Sequence, residues 1–299
     1  KILERLGALY ADRIKDPTQA AAAYRDIVAI KPKHGKAMRV LRELYAKAQD
    51  FDSLESLYRS LGQFDELVDS FFGISDKLDD KAASIALLER TAAIATEHVS
   101  NKDKVARVYE RLQAISPNHE GAARALIPLY RGGAKWARLV TTLELLQENV
   151  VDSEKDELIE EIRGLWEQRL NSKAKAFEWT ARAYKRRPDD EALFADLQRL
   201  GAEADAWEEV SAILQERLEI EGIDEDTQVE LLRELGQIAE HRLHDPDAAQ
   251  GYQRKILGLR PDDGRALDAL EELATHQSEW PALLEILRKR VSLGDDRDD

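Results

Sequence analysis

The chain contains no cysteine, which removes disulfides, iron–sulfur clusters, thiolate zinc sites and cysteine nucleophiles in one step. That fits a reducing compartment, so a cytoplasmic location is the expectation, although a stable helical protein needs no bridges outside the cell either. Glycine (15) and proline (8) are scarce among 299 residues, too few for a β-rich fold with many tight turns. Aromatic residues make up only 6%. No apolar run approaches the roughly 18–20 residues needed to cross a bilayer, and there is no signal-like start. The chain opens at Lys1 in mid-pattern with its only methionine at Met38, which reads as a fragment or processed piece and leaves a secreted or periplasmic location open.

What is abundant is helix-forming. Ala, Leu, Glu and Arg dominate, and apolar residues reach 43%, ample for a core. The 44 basic and 59 acidic residues leave a net charge of −15, which repels a polyanionic backbone unless the bases cluster on one face. They do not: Arg182, Lys185, Arg186 and Arg187 are followed at once by Asp189, Asp190 and Glu191. Nucleic acid is therefore not expected as a partner.

The organising feature is an internal repeat. Four prolines recur in similar company, in IKPKH (Pro32), ISPNH (Pro117), RRPDD (Pro188) and LRPDD (Pro261), at intervals of 85, 71 and 73 residues. Nineteen residues after each stands an aromatic: Phe51, Trp136, Trp207 and Trp280. Counted back from the prolines, apolar columns appear at 29 (Leu3, Leu88, Ile159, Leu232), 23 (Leu9, Ile94, Leu165, Ile238) and 18 (Ile14, Val99, Leu170, Leu243). A column of small residues and valine stands at 12 (Ala20, Val105, Ala176, Ala249). Beyond the prolines, leucine occupies every copy at 9 (Leu41, Leu126, Leu197, Leu270) and at 12 (Leu44, Leu129, Leu200, Leu273). Such spacings draw one face of a helix.

The reading is four units of about 72 residues, near 1–78, 79–152, 153–224 and 225–299, in one continuous array. The first interval is 13 residues too long. Phe64 with Leu67 and Phe71 matches Trp136 with Leu139 and Leu143, so the excess reads as an added helix near 51–63. Phe51 and Phe64 then compete for one role. Asp16-Pro17 and Asp245-Pro246 set a capping carboxylate before a proline at the first helical position. Each of the four prolines closes a helix, giving four helices per unit, about sixteen in all, plus the added one.

These residues resemble tetratricopeptide repeats. The first hairpin reads Leu6, Gly7, Tyr10, Ala20, Tyr24, Pro32, and the last complete one Leu235, Gly236, Ala239, Ala249, Tyr252, Pro261. Arg163 departs from the pattern in the glycine column, and the second hairpins lack the closing proline. The resemblance implies an all-α, right-handed α-solenoid of about eight antiparallel hairpins, whose stacked neighbours complete a core that no hairpin closes alone. It further implies a binding scaffold or adaptor without cofactor or catalysis, holding a protein or peptide in a groove lined by the first helix of each hairpin. Mapped here, that lining is Arg39, Glu43, Arg124, Arg131, Glu160, Glu167, Arg199, Arg233, Gln237 and His241, polar and mixed in sign, which suits charged hydrogen bonds to a peptide better than an apolar small molecule. A structural subunit that self-associates, or a regulatory repeat domain of a longer multidomain protein, is the alternative.

Other candidates read as structure rather than chemistry. Trp136, Trp207 and Trp280 carry apolar residues three and seven positions later and are expected in the core. His241, His244 and Asp245 lack the third and fourth placed ligands of a metal site. Asp295, Asp296 and Asp299 spell D-D-x-x-D in a charged tail after Gly294. Gly132-Gly133 with Lys135 lacks the spacing of a phosphate loop, and no carboxylate pair stands out as general acid and base.

Overall fold

The computed structural model describes residues 1–294; Asp295, Asp296 and Asp299 of the D-D-x-x-D pattern lie outside the described residues. The fold is all-α, with seventeen α-helices and no strand among the described residues. The chain divides into two compact units, Lys1–Val150 and Val151–Asp299. In both, each helix packs against the next in sequence.

The first unit contains α1 (Ile2–Leu9, running on as a π-helical turn Tyr10–Ile14), α2 (Pro17–Ile30), α3 (Gly35–Ala48), α4 (Phe51–Ser60), α5 (Phe64–Ser75), α6 (Lys81–His98), α7 (Lys102–Ile115), α8 (Glu120–Gly132) and α9 (Trp136–Gln147). The second contains α10 (Asp152–Gln168), α11 (Lys173–Arg186), α12 (Glu191–Ala204), α13 (Trp207–Leu218), α14 (Glu225–His241), α15 (Pro246–Leu259), α16 (Gly264–His276) and α17 (Trp280–Leu293). The helices ending just before each repeat proline (α2, α7, α11, α15) all have 14 residues.

The caps explain the boundaries. Asp16 accepts from Thr18 N and Gln19 N at 3.0 Å, and Asp245 from Ala248 N at 2.9 Å. Each supplies orphan amides with an acceptor before a proline that has no N–H to satisfy. Two residues after each repeat proline stands another cap: His34, His119, Asp190 or Asp263. The two histidines accept through Nδ1 from Ala37 N (3.2 Å) and Ala122 N (3.0 Å). The two aspartates accept from Ala192 N (3.1 Å) and Ala266 N (2.9 Å).

At the other end of these helices a left-handed residue recurs 17 positions after each proline: Gln49, Ala134, Asp205 and Ser278, with φ of 51–60°. The next amide closes back onto the helix in all four copies, as in Asp50 N to Tyr45 O (2.9 Å) and Lys135 N to Tyr130 O (2.9 Å). Glycine is absent from this column, although the conformation favours it.

The leucine column at 9 is buried in all four copies, as are Leu88, Ile159 and Leu232 at 29 positions before the proline. Gly7 lets the Tyr24 ring approach so closely that an added Cβ would stand 2.8 Å from it, so the pair that suggested a repeat hairpin is a packing contact. Two sets of expected core positions are instead exposed. Leu9 and Ile14 lie on α1 and its π-helical continuation, one side of which nothing among the described residues covers. Trp280 is 62% exposed and Trp136 and Trp207 only half-buried, which corrects their assignment to the core. Each is the first residue of its helix, so its ring hangs at the edge of the layer, and the buried contacts come from Leu139, Leu143, Val210 and Leu214 further along. An Arg242 guanidinium lies over the Trp207 ring at 4.9 Å.

The added segment divides one job between two helices. α4 lies against α2 and α3 as α9 lies against α7 and α8, with Phe51 in the position of Trp136. α5, headed by Phe64 and 12 residues long like α9 and α13, makes the hairpin with α6. In the second unit α13 alone packs against both α12 and α14. No helix among the described residues is long and apolar enough to cross a membrane.

Candidate functional site

The ten groove residues fall on the expected helices but differ in what holds them. Arg39 and Glu43 stand exposed on α3 with no ion pair among the described residues. Arg124 binds Glu120 at 2.8 Å within α8, where Arg131 is also exposed. Glu160, Glu167 and Arg199 belong to a ladder of charge across α10, α11 and α12. Arg163 bonds Glu160 at 2.7 Å and Asp196 at 2.6 Å. Arg199 continues to Asp196 (2.8 Å), Glu167 (2.8 Å) and Glu203 (3.1 Å), and Lys173 reaches Glu203 at 2.8 Å.

Burial pushes the Asp196 carboxyl up, but hydrogen bonds from Arg199 and Arg163 outweigh it and hold the group below the usual range. For Arg163 burial opposes the charge, and the bonds to Asp196 and Glu160 more than restore it. Charges this well matched to one another are poor bait for a ligand.

Sequence reasoning missed Arg163 as a member of this network. The signal was its place in a column that otherwise holds Gly7, Ala92 and Gly236, where a long charged side chain stands out. It also missed a sign exchange between the repeats. The capping His34 and His119 turn Nε2 to Glu4 (3.2 Å) and Glu89 (2.9 Å). In the last unit the pair is inverted, with Arg233 bonding the capping Asp263 at 3.1 Å. In the third unit both members are acidic, and Arg187 bridges Glu160 and Asp190. The cap and the first helix of the hairpin are thus tied together in every unit by whichever signs are present.

Arg233 and Gln237 are brought together with residues that sequence reasoning did not name. They line a cavity of about 570 Å³ with Phe194 of α12 and Arg265 of α16, closed on one side by Tyr184 and Arg217. Arg217 donates to the Tyr184 hydroxyl at 2.6 Å and to Asp189 at 2.7 Å. Arg265 and Gln237 have no hydrogen-bond or ion-pair partner among the described residues. His241 is exposed at the end of α14, His244 sits in a left-handed turn (φ 54°), and Asp245 is spent on its cap. Among the described residues no three His, Cys, Asp or Glu side chains gather as metal ligands.

No family model matches the chain, and no curated protein matches it in sequence. Solved structures are similar to it at low superposition. A tetratricopeptide repeat protein from Parabacteroides merdae is similar over 91% of this chain and 97% of its own, at 15% identity and a TM-score of 0.29. The Cut9–Hcn1 hetero-tetramer of the APC/C matches 94% of this chain and 50% of that one, at 13% identity and a TM-score of 0.31. IFIT1, as a monomeric mutant with m7Gppp-AAAA, matches 94% of this chain and 65% of that one, at 14% identity and a TM-score of 0.32. At such superposition these likenesses carry no weight for a site or a partner. The class, an all-α array of repeated helical hairpins, rests on the helices described above.

Proposed function

We propose that the chain is a binding scaffold that holds a protein or peptide segment against the first helices of its hairpins. The observation that carries this reading is the cavity on α12, α14 and α16. An aromatic ring (Phe194), an amide (Gln237) and a guanidinium without a partner (Arg265) come to it from three different hairpins. Backbone amides and acidic side chains of an extended segment are what such donors and acceptors take up. The reading invokes no cofactor and no catalysis.

The test is a pull-down with the purified chain as bait, repeated with Arg265→Glu and with Arg39→Glu. A protein retained by the original and lost from Arg265→Glu, with helicity unchanged by circular dichroism, is the expected result. Capture that neither substitution alters would sink the groove reading.

A second reading, a structural subunit, is favoured by one observation: α17 exposes Trp280, Leu284, Leu287 and Val291 (71% exposed), and α1 exposes Ile2 and Leu9. In the array, faces equivalent to these are covered by a neighbouring helix. Sedimentation as a monomer at all concentrations would count against it.

A further inference from the structure

The repeat supplies its own comparison. A cavity of about 690 Å³ in the first unit is lined by Arg25 of α2, Tyr45 of α3 and Ser53, Ser56 and Ser60 of α4. A second cavity, about 560 Å³, is lined by α7, α8 and α9. Each residue lining the second lies 85 positions after one lining the first: Glu110 replaces Arg25, Tyr130 replaces Tyr45, and Arg138 replaces Ser53. The two clefts share a fold and a tyrosine and have opposite chemistry beside it.

In the second cleft the polar groups satisfy one another. Tyr130 donates its hydroxyl to Glu110 at 2.9 Å, and Arg138 donates to the same oxygen at 2.5 Å. In the first cleft the carboxylate is missing. The Tyr45 hydroxyl is buried without a hydrogen-bond partner, on a residue only 6% exposed. Arg25 has no ion pair among the described residues. Asp52, which also lines the cavity, is held by Arg90 at 2.8 Å, and Asp50 caps α4 through Ser53 N at 3.0 Å. A buried hydroxyl left unpaired costs free energy that an arriving acceptor recovers. The surroundings favour an anion, since residues 1–50 carry 11 Lys and Arg against 6 Asp and Glu.

We propose that the first cleft binds a carboxylate from an acidic protein segment, an aspartate or glutamate side chain set between the Arg25 guanidinium and the Tyr45 hydroxyl. It takes the place that the chain's own Glu110 fills in the second cleft, with the serines of α4 as further donors. This cleft is built on α2, α3 and α4 of the first unit, whereas the cavity of the proposed function is built on helices of the second, and the proposal does not depend on that reading.

The experiment is fluorescence anisotropy of a labelled tetraglutamate peptide, with its tetraglutamine counterpart and inorganic phosphate as the other arms, on the full chain at low salt. Saturable binding of the glutamate peptide and none of the glutamine peptide is expected. Arg25→Glu, which supplies the carboxylate in cis, abolishes binding and raises the melting temperature. Tyr45→Phe weakens binding about fivefold, the worth of roughly one hydrogen bond. Lys36→Glu makes the same change of charge elsewhere on α3, outside the cleft, and leaves binding intact. Phosphate binding without peptide binding overturns the protein-carboxylate assignment. Binding of neither, or peptide binding that Arg25→Glu leaves unchanged, overturns the site.

Discussion

The two compact units share a repeat and carry opposite electrostatics. Residues 1–150 hold 23 basic against 21 acidic side chains, a net of +2, while residues 151–299 hold 21 against 38, a net of −17. The whole excess of negative charge therefore belongs to the second unit. Both units place guanidinium groups over aromatic rings, as Arg90 over Phe71 and Arg242 over Trp207, but the first caps α3 and α8 with histidine. The second builds the Arg163–Asp196–Arg199 ladder and caps with aspartate. Beneath both schemes the leucine columns are the same. The comparison teaches that the apolar periodicity defines the hairpin, whereas the charges vary in sign and in partner from one repeat to the next.

The sharpest way to break that comparison is in the shared core. Leu126 and Leu197 are equivalent and fully buried, one in each unit. Replacing either by alanine is expected to cost about 3 kcal/mol, read as loss of hydrogen-exchange protection in the unit that carries it. A loss in one variant much larger than in the other would show that the units do not share a core plan.

The aromatic column gives a smaller effect. Trp207→Ala removes a half-buried ring and its contact with Arg242, for about 1–2 kcal/mol. Trp280→Ala, on an exposed side chain, is expected to stay within about 0.5 kcal/mol. Equal thermal shifts for the two would mean that Trp280 is covered in solution, which would favour the self-associating reading.

The subtlest difference is in acid. Asp196 is held below the ordinary carboxylate range in the folded chain, so its stabilisation is present above the unfolded value and is lost as pH falls through the folded one. Glu203 is lowered in the same way by Lys173. Hydrogen exchange between pH 6 and 3 should therefore open α10–α12 below about pH 4, the ordinary carboxylate region. In the first unit Glu55 shows the same direction, since bonds from Arg59 and Arg90 outweigh its burial. Protection of α4 should fade over the same interval, around fewer such carboxylates. Opening of α10–α12 already at pH 6 would show that the ladder is not what holds them.

Much of the fold was legible beforehand because it depends on periodicity. The repeat prolines, the Asp-Pro starts and the leucine columns mark where helices begin, end and turn inward, and those are local constraints on one chain. Trp280 misled because a column of large residues signals a shared position in the repeat, and burial depends on whether another helix lies over it. The Phe51–Phe64 ambiguity had the same root. Both residues start helices, and only their neighbours show that α4 covers the cleft while α5 pairs with α6. The candidate groove was legible as a set of positions, but not as a set of free side chains. Glu160, Glu167 and Arg199 are consumed by partners some 30 residues away that no spacing rule selects.

The sequence by itself determined an all-α chain of repeated hairpins with mixed-sign polar faces, because helix period, capping and chain reversal are short-range properties. The tertiary structure decided which polar groups are answered and which are left waiting. Arg25 and Glu110 look equally ordinary in the sequence. One has no partner and the other completes a network, because hydrogen bonding is set by distances across helices and not by residue type.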